Sequence, residues 1–225
     1  MSVRTGFIGV GAMGSPMALN ILKAGIPLVV HDVDENKTIE HEKAGAEVLY
    51  SPMEVANASD RTICLVETTR QVEEVICGER GIIHGAKPGH IVICMSTIDP
   101  TVAKRIASDL LLQEILMLDA PVSGGTARAQ AADLTVIAGG EKKVFDQCKD
   151  IFEAIGKDAF YIGDHGQGLV MKLINNMLGI TNTITLIEGL TIGAKSGIGL
   201  QTMLDVFRKS SGASAAVELL SLIHI

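Results

Sequence analysis

The chain has no block of lysines and arginines. Nineteen basic residues stand against twenty-six acidic ones, and the net charge is −7. That excludes the electrostatic footprint of a nucleic-acid binder or of a protein held on an anionic membrane; a small anionic ligand must be met by local donors. The four cysteines, Cys64, Cys77, Cys94 and Cys148, show no CxxC spacing, and two sit in apolar strand-like runs. They are expected to be small buried hydrophobes in a reducing, cytoplasmic setting, with neither a disulfide framework nor a thiolate metal site. The six histidines show no HxxxH or HxH spacing, so no metal is expected. A charged n-region followed by an apolar h-region is missing. The apolar stretch 169–190 is broken by Lys172, Asn175, Asn176, Asn182 and Glu188, so neither secretion nor membrane spanning is expected. Repeats and low-complexity tracts are absent.

What is present is enough for a core. At 225 residues and 47% hydrophobic content, the length fits one large domain and a smaller appendage. The first half alternates β-rich apolar runs (5–10, 27–32, 61–66, 90–95, 114–120) with amphipathic segments (13–24, 35–44, 52–58, 69–77, 99–112). This is the pattern of βαβ units and a doubly wound, mostly parallel α/β sheet. Pro52 and Pro100 fit helix first turns, with Ser51 and Asp99 as their N-caps. A further strand (134–140), a helix (142–155) and a last strand (159–164) lead to the glycine-rich "GDHGQG". Beyond it the pattern is helical only, over 169–196 and 200–209. The domain boundary is therefore expected near Asp164, with an α/β domain over 1–164 and a helical domain over 165–225. A helix of this length spans roughly 40 Å. The closing "SSGASAAVELLSLIHI" starts another apolar helix and stops without a cap. The helical domain is then incomplete, and the expectation is a truncated chain or one completed by a second subunit, as a homodimer or homotetramer.

"GVGAMG" places Gly9, Gly11 and Gly14 in G-x-G-x-x-G spacing after the first strand and at the start of the first helix, around Ala12 and Met13. In such a loop the first glycine permits the turn, the second admits the pyrophosphate and the third allows close helix–strand contact. The second strand ends in Asp32, placed to accept hydrogen bonds from the adenosine ribose. A carboxylate there repels a 2′-phosphate, and "HDVDENK" offers only Lys37 as a cation, so NAD is expected over NADP. The alternative is that Asp32 caps the next helix while Lys37 holds a phosphate. "DAPVSGG" puts Ser123, Gly124 and Gly125 at a strand end, either as a carboxylate cradle or as an ordinary glycine turn. Ser96 and Thr97 lie at another strand end, where they contact nicotinamide or substrate, or else cap the helix that starts near Asp99.

Four ordered stretches, "FIGVGAMGSPMALNIL", "STIDP" (96–100), "DAPVSGG" (119–125) and "GLVMKLINNM" (168–177), resemble the signatures of the β-hydroxyacid dehydrogenases, the group of 3-hydroxyisobutyrate dehydrogenase and tartronate semialdehyde reductase. The resemblance implies a Rossmann domain, a helical C-terminal domain and hydride transfer between NAD(P) and a short 3-hydroxy acid. It also implies Lys172 as catalytic acid/base, Ser123 and Gly124 as carboxylate ligands, and Asn176 as a substrate-orienting residue. Departures are Ala127 and Ala132 where glycine is usual, Glu67 in place of a proline, and a later lysine motif that would lie beyond Ile225.

Independently of the resemblance, Lys172, Asn175 and Asn176 share one helix face and form a polar island in an apolar run. Asn175 either contacts substrate or bonds nearby backbone. His165, near the boundary, is accounted for by its loop position. Competing readings are a glyoxylate or imine reductase on the same scaffold and a non-catalytic dinucleotide-binding fragment.

Overall fold

The computed structural model describes residues 3–218. A nine-stranded sheet is its centre. β1 (Thr5–Ile8), α1 (Gly14–Lys23) and β2 (Leu28–His31) open it. A 3₁₀ turn at Glu35–Thr38 leads into α2 (Ile39–Lys43), β3 (Glu47–Val48), α3 (Pro52–Asn57), β4 (Arg61–Cys64) and α4 (Thr69–Cys77). Then come β5 (Ile91–Cys94), α5 (Pro100–Leu111), β6 (Leu116–Asp119), β7 (Val122–Ser123), α6 (Gly125–Gln130) and β8 (Leu134–Gly140). α7 (Lys142–Gln147), α8 (Lys149–Ile155) and β9 (Gly156–Gly163) complete it, and α9 (Gln167–Lys195) and α10 (Leu200–Arg208) follow. The strand order is β3-β2-β1-β4-β5-β6-β8-β7, with β9 paired to β8.

The order doubles back at β1, whose neighbours β2 and β4 are both parallel to it. Such a reversal opens a crevice at the strand C-terminal ends. Every strand from β1 to β6 pairs in parallel. β8 runs antiparallel to β6 and β7, and β9 is parallel to β8. The central strands are apolar on both faces because both are covered. Phe7, Ile63 and Ile93 enter one core cluster, while their neighbours Ile8, Cys64 and Cys94 enter the other. That is the period-2 alternation of a sheet buried on both sides.

Helix starts follow local chemistry. Ser51 Oγ accepts the Glu54 N–H at 3.2 Å ahead of Pro52, and Asp99 Oδ1 accepts the Thr101 N–H at 2.7 Å ahead of Pro100. Thr68 and Gln71 close a reciprocal capping box on α4.

Several boundaries differ from expectation. The run 114–120 begins its strand only at Leu116, because Glu114 adopts φ +58 and turns the chain. The segment 142–155 is two helices, since Cys148 leaves helical geometry at ψ 7. The segment 35–44 opens as 3₁₀ before becoming α. β3, β7 and α6 were not foreseen: the two strands have two residues each, too short for a hydrophobic period to register, and α6, GTARAQ, offers only alanines as apolar residues.

The described chain forms two compact units, one reaching to Lys172 and the other beginning at Leu173. The first holds the sheet. In the second, Leu186, Leu204, Ala216 and Val217 form a small apolar cluster. α9 is by length and composition apolar enough to cross a membrane, and Ile180, Ile184, Ile187 and Ile192 are exposed on it. The expected helix at the chain end is seen to start, with residues 215–218 helical; the remainder of that segment lies outside the described residues.

Candidate functional site

The loop after β1 is built around three glycines with three different tasks. Gly9 lies at φ +95, and a Cβ there would stand 2.1 Å from the Leu65 carbonyl oxygen. A Cβ on Gly14 would stand 1.9 Å from the Gly9 carbonyl oxygen. Both are glycine because the protein's own backbone leaves no room. Gly11 is different: a Cβ there would meet nothing within 4 Å. Its missing side chain serves no packing purpose inside the chain, as fits a loop whose backbone a pyrophosphate must approach. Met13 precedes α1 without a side-chain cap, and the first turn carries no acid. The positive end of the helix dipole is therefore left for an anion.

Asp32 follows β2 directly and is buried. Its Oδ2 accepts the Val10 N–H at 2.9 Å and its Oδ1 accepts the Asp34 N–H at 3.0 Å. The carboxylate thus ties the glycine loop to the end of β2. Lys37 Nζ lies 3.7 Å from Oδ1. Beside this pair opens a cavity of ≈ 230 Å³ lined by Gly9, Asp32, Val33, Gln71 and Arg80, among others. Gln71 and Arg80 went unnoticed in the sequence. They come from α4 and the turn after it, and only the sheet order brings them to the β1–β4 end; no spacing could have announced it. Arg80 donates to Glu54 Oε1 at 3.0 Å.

Ser96 is buried, and its Oγ accepts the Val66 N–H at 2.8 Å. That bond holds one wall of the cavity, which Val66 lines. Thr97 is exposed, and the cap of α5 is Asp99. Ser123 closes the short β7, opposite Thr135. Gly124 follows at φ +140 and Gly125 at φ +71, where α6 begins. These three residues stand together. Among the described residues the cavity wall includes Gly9 and Asp32 but none of Ser96, Thr97, Ser123 or Lys172.

Lys172 lies on the second turn of α9 and is buried at 9% exposure. Burial lowers its pKa below the ordinary lysine value. Its turn begins at Leu169, fully buried in the sheet's core. Asn175 and Asn176 continue the helix in the second unit, the first exposed and the second half-buried. His165 bonds the Met117 carbonyl oxygen through Nε2 at 2.9 Å, a structural duty for the one histidine near the boundary. Among the described residues no group of His, Cys, Asp and Glu has the make-up of a metal site. One departure from the resembled pattern has a visible consequence: Ala132 adopts φ +53, the left-handed region that favours glycine.

Comparison with known proteins gives this geometry its setting. Residues 4–163 match the family model described as the NAD binding domain of 6-phosphogluconate dehydrogenase. Residues 166–221 match the NAD-binding of NADP-dependent 3-hydroxyisobutyrate dehydrogenase. The chain is 37% identical over 217 residues to 2-(hydroxymethyl)glutarate dehydrogenase of Eubacterium barkeri, covering 96% of this chain and 72% of that protein. It is 37% identical over 207 residues to mitochondrial 3-hydroxyisobutyrate dehydrogenase of Mus musculus, covering 92% of this chain and 62% of that one. The chain therefore spans under two thirds of one relative's length and somewhat over two thirds of the other's. Among solved structures, 3-hydroxyisobutyrate dehydrogenase of Mycobacterium tuberculosis with L-serine superposes at TM-score 0.89 and 28% identity, over 96% of this chain and 74% of that one. Both matched models bind nicotinamide dinucleotide, which is the cofactor class the glycine loop and Asp32 fit. On these grounds the chain belongs to the β-hydroxyacid dehydrogenase family.

Proposed function

We propose that this chain oxidises a short 3-hydroxy acid, or reduces the matching semialdehyde, with NAD as its cofactor and Lys172 as the proton carrier. The observation that carries the reading is a lysine drawn into the protein, whose ammonium burial disfavours. Oxidising an alcohol needs a base for the hydroxyl proton, and reduction needs the same group as an acid. A lysine serves when its pKa approaches neutrality, which is the direction burial moves it. When bound, the nicotinamide ring supplies the hydride acceptor or donor. The glycine loop and the open N-terminus of α1 hold the pyrophosphate, and Asp32 accepts from the ribose. Ser123, Gly124 and Gly125 hold the substrate carboxylate, Asn176 and Asn175 orient the substrate, and Ser96 with Thr97 borders the nicotinamide.

The preference for NAD rests on charge. Of the cations near Asp32, Lys37 is already paired with Asp32 and Arg80 with Glu54. Neither offers an uncompensated charge to a 2′-phosphate. Self-association as a homodimer or homotetramer is supported by the exposed isoleucines of α9. A cytoplasmic setting is supported by four cysteines that are all free thiols.

The test is Lys172→Ala, with NADH binding followed by fluorescence and turnover by NADH absorbance. The substrate panel is 3-hydroxyisobutyrate, D- and L-glycerate, 3-hydroxypropionate and L-serine, the last because the Mycobacterium tuberculosis structure holds it. NADH binding should persist while turnover falls roughly 10² to 10⁴-fold. A variant that keeps a tenth of wild-type kcat sinks the assignment of Lys172. Equal efficiency with NADPH refutes the cofactor preference.

A further inference from the structure

α9 has no cap of its own. The segment before it, "GDHGQG", supplies no hydroxyl or carboxylate at the residue preceding Gln167, which is Gly166. The Gln167 N–H is met locally, by the Asp164 carbonyl oxygen at 3.0 Å, but other N–H groups of this turn are met from elsewhere. Asp119, the last residue of β6, is 1% exposed. Its Oδ1 accepts the Gly166 N–H at 2.7 Å and its Oδ2 accepts the Leu169 N–H at 3.0 Å. One carboxylate therefore satisfies two donors a turn apart that would otherwise be buried without partners.

The same turn is pressed against the sheet. A Cβ on Gly168 would stand 2.6 Å from the Ile137 carbonyl oxygen, 2.7 Å from the Gly139 nitrogen and 2.8 Å from the Asp119 carbonyl oxygen. A Cβ on Gly139 would stand 2.8 Å from the Gly168 nitrogen. Backbone touches backbone there, so the helix is as deep as it can lie. Asp119 sets where along its axis and at what rotation it begins. Leu169 and Lys172, three positions apart, share a face, and Leu169 is fully buried. Whatever fixes Leu169 in the core turns Lys172 inward with it.

We infer that Asp119 is a positioning residue for Lys172: its carboxylate fixes the first turn of α9 so that the lysine amine is held inside the protein and away from water. The role in turnover rests on the function proposed above, but the positioning does not. The charged and titratable groups facing Asp119 are His165, from the loop before α9, and Cys94, its partner in register on β5. Cys94 is a neutral thiol whose pKa burial pushes up to about 12. Burial raises the Asp119 carboxyl, while the Gly166 and Leu169 N–H groups and His165 act against the rise.

The test is competitive acetylation of the whole 225-residue chain with acetic anhydride at graded pH, reading Lys172 by mass spectrometry. Wild type is compared with Asp119→Asn, which keeps the shape but turns an NH₂ toward one of the two N–H groups. Lys172 of the wild type should titrate below the surface lysines. In the variant its midpoint should move up toward theirs, its reactivity rising several-fold, with NADH binding within about twofold of wild type. Direction separates position from charge. Removing a carboxylate lowers a nearby lysine's pKa if it acts through its field, so a midpoint that stays or falls overturns the inference. Should the amide variant fail to bind NADH, Asp119→Ser, which retains one short acceptor, carries the same readout with the same two outcomes. Because labelling needs no turnover, a catalytic role for Lys172 can fail in the Lys172→Ala assay while this inference stands, and the reverse.

Discussion

Gly11 and Gly14 occur in one short loop, yet the structure assigns them to different owners, and substituting each with alanine separates cofactor from fold. Gly14→Ala puts a methyl 1.9 Å from the Gly9 carbonyl oxygen and 3.1 Å from Phe7. Neither gives way cheaply, because one is backbone and the other is a core ring with no exposure. Overpacking of this kind costs about 1–3 kcal/mol or more. Gly11→Ala puts a methyl into open space, and Gly11 is not among the positive-φ glycines. A glycine replaced by alanine without strain stabilises by roughly 0.4–1 kcal/mol, through the unfolded chain. The same methyl stands where the pyrophosphate must approach. Its expected cost is at least tenfold in NADH affinity, or about 1.4 kcal/mol. Urea denaturation gives stability and fluorescence titration gives affinity. Gly11→Ala should be at least as stable as wild type and bind NADH poorly; Gly14→Ala should be less stable. If Gly11→Ala binds NADH as wild type does, or unfolds as readily as Gly14→Ala, the division of labour is wrong.

Three other perturbations follow from the structure. His90 is buried, bonded through Nε2 to Thr62 Oγ1 at 2.9 Å, and burial lowers its pKa to about 4. As pH falls below 6.5 the unfolded chain takes up this proton first. Stability should therefore drop, by about 3 kcal/mol in all near pH 4, at ~1.36 kcal/mol per unit. His90→Gln should flatten that part of the urea-midpoint profile, and an unchanged slope between pH 6.5 and 4 refutes it. Ala132→Gly should raise stability by about 1 kcal/mol in the same assay by relieving a left-handed alanine; a loss would show that the alanine methyl makes contacts that matter more. Asp150→Ala should be destabilising by about 2 kcal/mol, since Arg61 is buried and donates to Asp150 through Nη1 at 2.7 Å and through Nη2 at 2.5 Å. Half of Asp150 is exposed, so the figure lies below the 3–5 kcal/mol of a fully buried pair. An Asp150→Ala chain as stable as wild type would rule that contribution out.

The layout of the sheet was legible wherever a strand lay in an apolar run and was buried on both faces, as at β1, β4 and β5. Caps were legible where the signal is local: Ser51 with Pro52, and Asp99 with Pro100. The sequence missed what depends on partners far along the chain. Nothing near Gln167 announces that Asp119 caps α9, and nothing in "GER" places Arg80 on the wall of the cavity that Asp32 also lines. The glycine loop and the separate tasks of Gly9, Gly11 and Gly14 were readable from spacing; the structure adds which backbone atoms crowd Gly9 and Gly14 and leave Gly11 open. Ala132 departs from the glycine of the resembled pattern, and φ +53 supplies the physical reason glycine is favoured there.

The capping of α9 from 47 and 50 residues away has a consequence for the order in which this chain acquires structure. A helix that carries its own cap can begin in isolation, within the first microsecond or so of collapse. This one cannot settle its starting point until β6 has taken its place and β8 has been laid beside it. The loop closures that bring those strands together are slow steps of high sequence separation. On a ribosome, β6 and β8 emerge ahead of α9, so the lysine on its second turn finds its address at once only if those strands have already docked when it appears.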